Sequence, residues 1–390
     1  MNNLKLSYLR IFGFSLLFIF GILFFAGCQS PEKENNPATE STPKIRVGVY
    51  NGNGASAVCV IETLEALKID SGIHSRPVTP VDIQRDVLDS LDVLVFPGGS
   101  GSKEYNSLGL LNAEKVKTFA AQAHKGLVGI CAGGYLFAST EGYPALKVLK
   151  AETIREHYDR GRGLIGFSLN EDGKKIFPEL KDYDTNFVQF YDGPIYEISD
   201  VESVAVNALI TSDIATHAND PRDVTPGKAA FLTAPFGEGK MFVSVGHPES
   251  TPGMRWMVPR MVRWVAGQDL ISYNHILVRP QINNKEILYF PETIAQEKTN
   301  FWNLFSEDDD EIIQAIDNLY AIKSRPSIRW SIGLLRHSSA KVRLKAAEYL
   351  VETEYTDALP DLSAAAQTEQ NAQVKEQLSG YLSRLKSMVY

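Results

Sequence analysis

Apolar positions along the chain follow two periods, and the periods alternate. Lys44 to Tyr50 (KIRVGVY) is an apolar, β-branched run closed by Asn51-Gly52-Asn53-Gly54, which predicts a buried strand. Ala55 to Ile69 follows with helical spacing of Val58, Ile61, Leu64, Ala66 and Leu67. Leu91 to Phe96 predicts a second strand, stopped by Pro97-Gly98-Gly99. Asn112 to His124 predicts an amphipathic helix with Asn112 as its N-cap. Leu127 to Ile130 and Ala132 to Thr140 predict a third strand and a short helix. This alternation predicts an α/β fold, a doubly wound and mostly parallel sheet covered on both faces, over residues 44–267. Its second half adds short strands at Phe187–Phe190, Ala229–Thr233 and Met241–Val245. Thr251-Pro252 predicts a helix start with Pro at the first position, Gly267 its end, and Pro259 a kink inside it.

Residues 268–305 show no clear period and read as a connector. From 306 to 390 the pattern is helical only. Val342-Arg343, Ala346 and Leu350 recur 32 residues later as Val374-Lys375, Leu378 and Leu382, with Ile312, Ile316 and Tyr320 a weaker copy. Helix pairs at this period resemble short HEAT repeats, which bury their faces only against neighbours. This small all-α unit is therefore expected to pack on the first domain or to hold a protein partner.

The N-terminus carries a different pattern. Lys5 and Arg10 precede sixteen uncharged residues, Ile11 to Ala26, ending in Phe25-Ala26-Gly27-Cys28. The stretch is short for a membrane span and suits a secretory signal. Small residues before Cys28 resemble a bacterial lipoprotein signal, which implies removal of 1–27 and lipidation of Cys28. An uncleaved anchor would tether the body equally. Residues 28–43 read as a flexible stalk. The expected location is the bacterial cell envelope, lipid-anchored to a membrane, with the outer membrane favoured over the inner.

Composition narrows the function classes. Of 390 residues, 44% are hydrophobic and 22% charged, which excludes a mostly disordered chain and a multi-span membrane protein. Lys plus Arg is 39 and Asp plus Glu is 47, a formal charge of −8. Loss of Lys5 and Arg10 with the signal makes it −8 − 2 = −10. No basic footprint marks a nucleic-acid partner. Three cysteines are too few for a disulfide scaffold.

Candidate chemistry lies on a strand-to-helix turn, Gly129-Ile130-Cys131-Ala132-Gly133-Gly134-Tyr135. Glycines flank the Cys as a nucleophile elbow requires, and the helix N-terminus beside the sulfur is expected to favour the thiolate. Cys59, between Val58 and Val60 on an apolar helix face, reads as a buried structural thiol. A Cys nucleophile needs a base and a group that orients it. His247-Pro248-Glu249 follows the strand-like Val243-Ser244-Val245, which makes His247 the candidate base and Glu249 its orienting carboxylate. Backbone N–H groups of Gly98, Gly99 and Ala132 are candidate oxyanion donors, with Gly133 and Tyr135 beside them.

Gly129 to Gly133, Pro97 to Gly99 and His247 to Glu249 together resemble class I glutamine amidotransferase-like proteins. Val49 to Ser56, Cys131 to Tyr135 and Gln189-Phe190-Tyr191-Asp192-Gly193-Pro194 are similar to the N-terminal domain of biotin–protein ligases and its bacterial relatives. The resemblance implies a flavodoxin-like, amidotransferase-like sheet and a Cys131-His247-Glu249 set acting on an amide or related acyl group of unknown identity, small molecule or peptide. Glutamine-using members carry Gln four residues after the Cys, where Tyr135 stands here. Gly161-Arg162-Gly163 matches only a fragment of a biotin-ligase signature, and no ligase half is present.

Two other readings compete. A non-catalytic module would keep the pocket for ligand binding and use the helical repeats as a scaffold. Gly52-Asn53-Gly54-Ala55-Ser56-Ala57 formally fits a dinucleotide fingerprint, but Asp70 precedes the next strand-like run, Ile73 to Thr79, and is badly placed for a ribose. The histidines are scattered and no metal-ligand spacing occurs, so neither a metal nor a cofactor is expected. The acidic run Glu307 to Glu311 fits a solvated helix start better than a calcium loop.

Overall fold

The computed structural model describes residues 44–154, 161–217 and 220–389. The expected signal segment, the stalk and Cys28 lie outside the described residues. Among the described residues no helix is long and apolar enough to cross a membrane.

The elements in chain order are β1 (Ile45–Tyr50), α1 (Ala57–Leu67), β2 (Ile73–Val78), α2 (Pro80–Gln84), β3 (Val93–Phe96), α3 (Gly101–Ala120), β4 (Gly126–Ile130) and α4 (Ala132–Phe137). Next come β5 (Glu152–Thr153), β6 (Arg162–Leu169), α5 (Glu171–Ile176), β7 (Asn186–Tyr191), β8 (Tyr196–Glu197), β9 (Ala205–Ile210), β10 (Ala229–Phe236), β11 (Gly239–Ser244) and α6 (Met257–Val265). The chain ends with β12 (Ile287–Leu288), α7 (Pro291–Asn303), α8 (Asp309–Ala321), α9 (Ser331–Leu334), α10 (Ala340–Glu352), α11 (Leu359–Thr368) and α12 (Ala372–Lys386).

Strands β3 (VLVF) and β4 (GLVGI) are buried at every position, the pattern of strands covered on both faces. The sheet runs β12-β6-β9-β10-β11-β4-β3-β1-β2, with β7 on β6. Its half from β2 to β11 is parallel, and antiparallel pairs from β10 to β12 extend it. The doubly wound α/β fold is thus present. From β1 the chain steps outward to β2, whereas from β3 it steps the other way to β4. Right-handed crossovers then put α1 and α3 on opposite faces. Because β1, β3, β4 and β11 are parallel, their C-terminal ends share one edge, where ligands of open α/β sheets bind.

The helical segment packs on this body. Arg162 pairs with Glu297 at 2.8 Å, Arg279 with Glu354 at 2.5 Å, and Gln189 Nε2 donates to the Lys323 carbonyl at 2.9 Å. Helices α7 and α8, α9 and α10, and α11 and α12 pair in succession. Asp308 caps α8 by accepting from the N–H groups of Asp310 and Glu311, so the acidic run is a helix start.

Several sequence expectations change. Helix α3 begins at Gly101, eleven residues before the expected cap, and bends at Gly109 (φ 69°). Asn112 is therefore inside it, and its side chain donates to the Pro80 carbonyl at 3.1 Å. Pro252 does not start α6, which begins at Met257. Pro259 is the third residue of that helix, where no intrahelical N–H is needed, so the expected kink is absent. The aperiodic connector contains the regular helix α7. Arg162 and Gly163 of Gly161-Arg162-Gly163 begin β6, with Arg162 stacked on Tyr191 and Tyr289.

Candidate active site

Cys131 is the single residue between β4 and α4. Its backbone sits at φ 50°, ψ −99°, outside every region that a side-chain-bearing residue ordinarily occupies. Holding it there costs of order 1–3 kcal/mol, a strain typical of functional turns. The flanking glycines are required by space. A Cβ on Gly133 would meet the Phe96 carbonyl oxygen, and one on Gly129 would approach the Gly133 carbonyl carbon to 2.8 Å.

His247 stands beyond the end of β11. Its N–H donates to the Gln189 carbonyl at 2.7 Å, which ties the turn to the Gln189–Pro194 motif. Its Nδ1 lies 2.7 Å from Glu249 Oε1, with both side chains buried. Its Nε2 has no hydrogen-bond partner among the described residues. Gly98 lies against this imidazole: a Cβ there would come within 2.6 Å of His247 Cε1 and 2.8 Å of Cys59 Sγ. Gly99 is at φ +152°, and a Cβ there would run into the Gly54 carbonyl oxygen. The Gly98 carbonyl is fastened, since Ser56 N–H donates to it at 2.9 Å. The N–H groups of Gly98, Gly99 and Ala132 make no hydrogen bond to the described residues.

A cavity of about 350 Å³ opens here, lined among others by Gly99, Cys131, Tyr191, Asp192 and His247. The Cys131 thiol donates to the Tyr191 carbonyl at 3.3 Å. It forms no hydrogen bond to His247 in this state. Burial pushes the thiol well above its ordinary range, with Cys59 and Glu249 adding to the effect and Arg325 opposing it. This burial acts against the thiolate that the helix N-terminus was expected to favour, and helix α4 has only six residues. Tyr135 turns away and donates to the Gly193 carbonyl at 3.1 Å. Neither Ala132, Gly133 nor Tyr135 lines the cavity with a side chain.

Two components were not legible as site residues. Cys59, expected as a structural thiol, lines the cavity and lies within 4.8 Å of ligand atoms on His247 and Glu249. Arg325, from the loop after α8, reaches in from the helical segment. Its guanidinium pairs with Glu62, donates to Cys59 Sγ at 3.3 Å, and lies 3.6 Å from Glu249 Oε1. Cys59, His247 and Glu249 are a set that could hold a metal ion, but the Arg325 cation already stands among them. No sequence signal marked Arg325: Glu62 and Glu65 are both acids on α1 (AVCVIETLEAL), and only the fold shows that Glu62 meets a buried cation. The dinucleotide reading finds no room: Gly54 packs on the backbone of Lys103 and Glu104, and Asp70 is occupied by Arg263, Tyr273 and the Gly72 N–H.

Residues 45–149 match the family model described as biotin-protein ligase, N terminal. The match covers β1 to the residues after α4, including the Cys131 elbow and the Gly98-Gly99 loop. No curated protein matches the sequence. Among solved structures, the glutaminase domain of Trypanosoma brucei CTPS with bound acivicin is 13% identical, covers 59% of this chain and 97% of its own, with a TM-score of 0.40. A beta-galactosidase from Bacillus circulans sp. alkalophilus is 14% identical, with 58% and 32% covered and a TM-score of 0.37. The chain thus spans about a third of that galactosidase.

Proposed function

We propose that the cavity is the active site of a cysteine-dependent amide hydrolase or acyl transferase with an amidotransferase-like fold. The observation that carries this reading is the strained Cys131 turn, open to the same cavity as an imidazole whose Nδ1 is held by Glu249. Cys131 Sγ attacks the acyl carbon while His247 Nε2 takes the thiol proton. The oxyanion accepts hydrogen bonds from N–H groups of Gly98, Gly99 or Ala132. The C–N bond then breaks, His247 gives its proton to the leaving amine, and water or a second nucleophile resolves the thioester. Burial that disfavours the thiolate suits this sequence, with His247 acting as a general base when substrate arrives rather than as a standing ion-pair partner.

The test is alkylation of Cys131 by iodoacetamide, read by peptide mass spectrometry. Cys59 is measured separately, because it shares the cavity and is no inert reference. His247→Ala is expected to slow labelling of Cys131 at least tenfold at pH 8. An unchanged rate sinks the catalytic reading. A second reading, a non-catalytic binding module, draws support from the Cys131 bond to the Tyr191 carbonyl and from the site of Tyr135.

We also propose that the chain is anchored in the bacterial envelope through lipidated Cys28, as its N-terminal pattern supports. Mass spectrometry of the mature N-terminus tests this, and a start upstream of Cys28 overturns it. The successive pairs α9–α10 and α11–α12 support a HEAT-like reading of residues 306–390, and α8 pairs with α7 just before them. The exposed rings of Trp302 and Trp330, each against the exposed ring of Phe305, are the favoured face for a protein partner.

A further inference from the structure

Four charged side chains line the cavity: Glu62, Asp192, Arg325 and Arg329. Three are accounted for. Arg325 and Glu62 neutralise each other, and Asp192 is not free. Arg329, in the short turn Ile328–Trp330, is different. It forms no ion pair and no side-chain hydrogen bond with the described residues. Beside it in the lining stands Tyr355, whose hydroxyl has no hydrogen-bond partner among them either. Both come from the helical segment, not from the α/β body that supplies Cys131 and His247.

Arg329 is an exposed residue of the lining, so its guanidinium is open to a ligand that enters the cavity. Its planar fork matches a carboxylate with two parallel hydrogen bonds. Arg329 offers one such fork, which fits a single carboxylate. The volume, about 350 Å³, is at the small end of sites for small molecules.

Resting on the proposed acyl chemistry, we infer that the cavity takes a small acyl compound bearing a carboxylate, seated on Arg329 and Tyr355. The helical segment is then a wall of the site that sets its charge preference.

Two alkylating agents of nearly the same shape test this on the full chain. Iodoacetate carries a carboxylate and iodoacetamide does not. With each, the Cys131 sulfur forms a bond to the methylene carbon, iodide leaves with its electron pair, and the thiol proton passes to His247. The rate ratio of iodoacetate to iodoacetamide is read at Cys131 in the folded chain and again in denaturant, which supplies the intrinsic ratio. The folded ratio is expected to exceed the unfolded one at least tenfold. Arg329→Gln is expected to lower it at least fivefold, and Arg329→Lys to recover part of the loss. Equal ratios folded and unfolded, or a ratio untouched by Arg329→Gln, overturn the inference while leaving the acyl reading intact. Failure of both agents at Cys131 overturns both.

Discussion

Glu104 offers the sharpest quantitative prediction, because its surroundings allow one sign only. It lies in the first turns of α3, fully buried, and neither carboxyl oxygen has a hydrogen-bond partner. Burial alone pushes the group up from 4.5 to about 8. The folded chain therefore keeps this proton at pH values where the unfolded chain has released it. Its contribution is complete below about 4.5 and is lost as pH rises towards about 8. At about 1.4 kcal/mol per pH unit, the loss reaches roughly 3 kcal/mol at pH 7 and about 5 kcal/mol by pH 8. Glu104→Gln keeps the shape and removes the titration. The variant is expected to match the parent near pH 4.5 and to exceed it in stability by roughly 3 kcal/mol at pH 7. Urea unfolding of both proteins at half-unit steps from pH 4.5 to 8 measures the difference. A gap that stays within about 1 kcal/mol across that range refutes the reasoning, since a group ionised in the folded state would give no such slope.

Arg325→Met leaves Glu62 and Glu249 as buried carboxylates without their cation, and is expected to cost about 3–5 kcal/mol in denaturant unfolding. Adding Glu62→Gln should restore at least a third of it, and additive losses would deny the pairing. At Cys131 the usual order of helix-compatible residues should invert. Cys131→Gly is expected to be more stable than Cys131→Ala by about 1 kcal/mol, because only glycine adopts φ 50°, ψ −99° without strain; an alanine variant as stable as the glycine one contradicts this. Gly98→Ala drives a methyl into His247 and Cys59, which should destabilise by about 1–3 kcal/mol and slow alkylation of Cys131. A variant labelled at the parental rate would show that the imidazole does not need that close approach.

Local pattern determined much of this protein. The runs that became β1, β3 and β4 are apolar and bounded by glycine, so burial leaves them few alternatives. The elbow at Cys131 was legible because glycines on both sides of a Cys have one main structural use. His247 and Glu249 were legible because they follow a strand end, and parallel strands bring such ends to one edge. The wrong expectations also had local causes. Asn112 reads as a cap, yet Gly109 let the helix continue through a bend from Gly101. The stretch around α7 lacks a strong stripe because few of its side chains are buried. What no local pattern carries is the meeting of charges far apart in sequence. Arg325 and Glu62 are separated by 263 positions, and each looks alone like a surface residue. Only folding buries them, and a buried charge must then find its opposite. The same holds for Cys59, whose apolar helix face predicted burial but not that the burying wall would be His247. The burial that opposes ionisation of Cys131 is of the same kind, since desolvation belongs to the whole cavity and not to the turn that presents the sulfur.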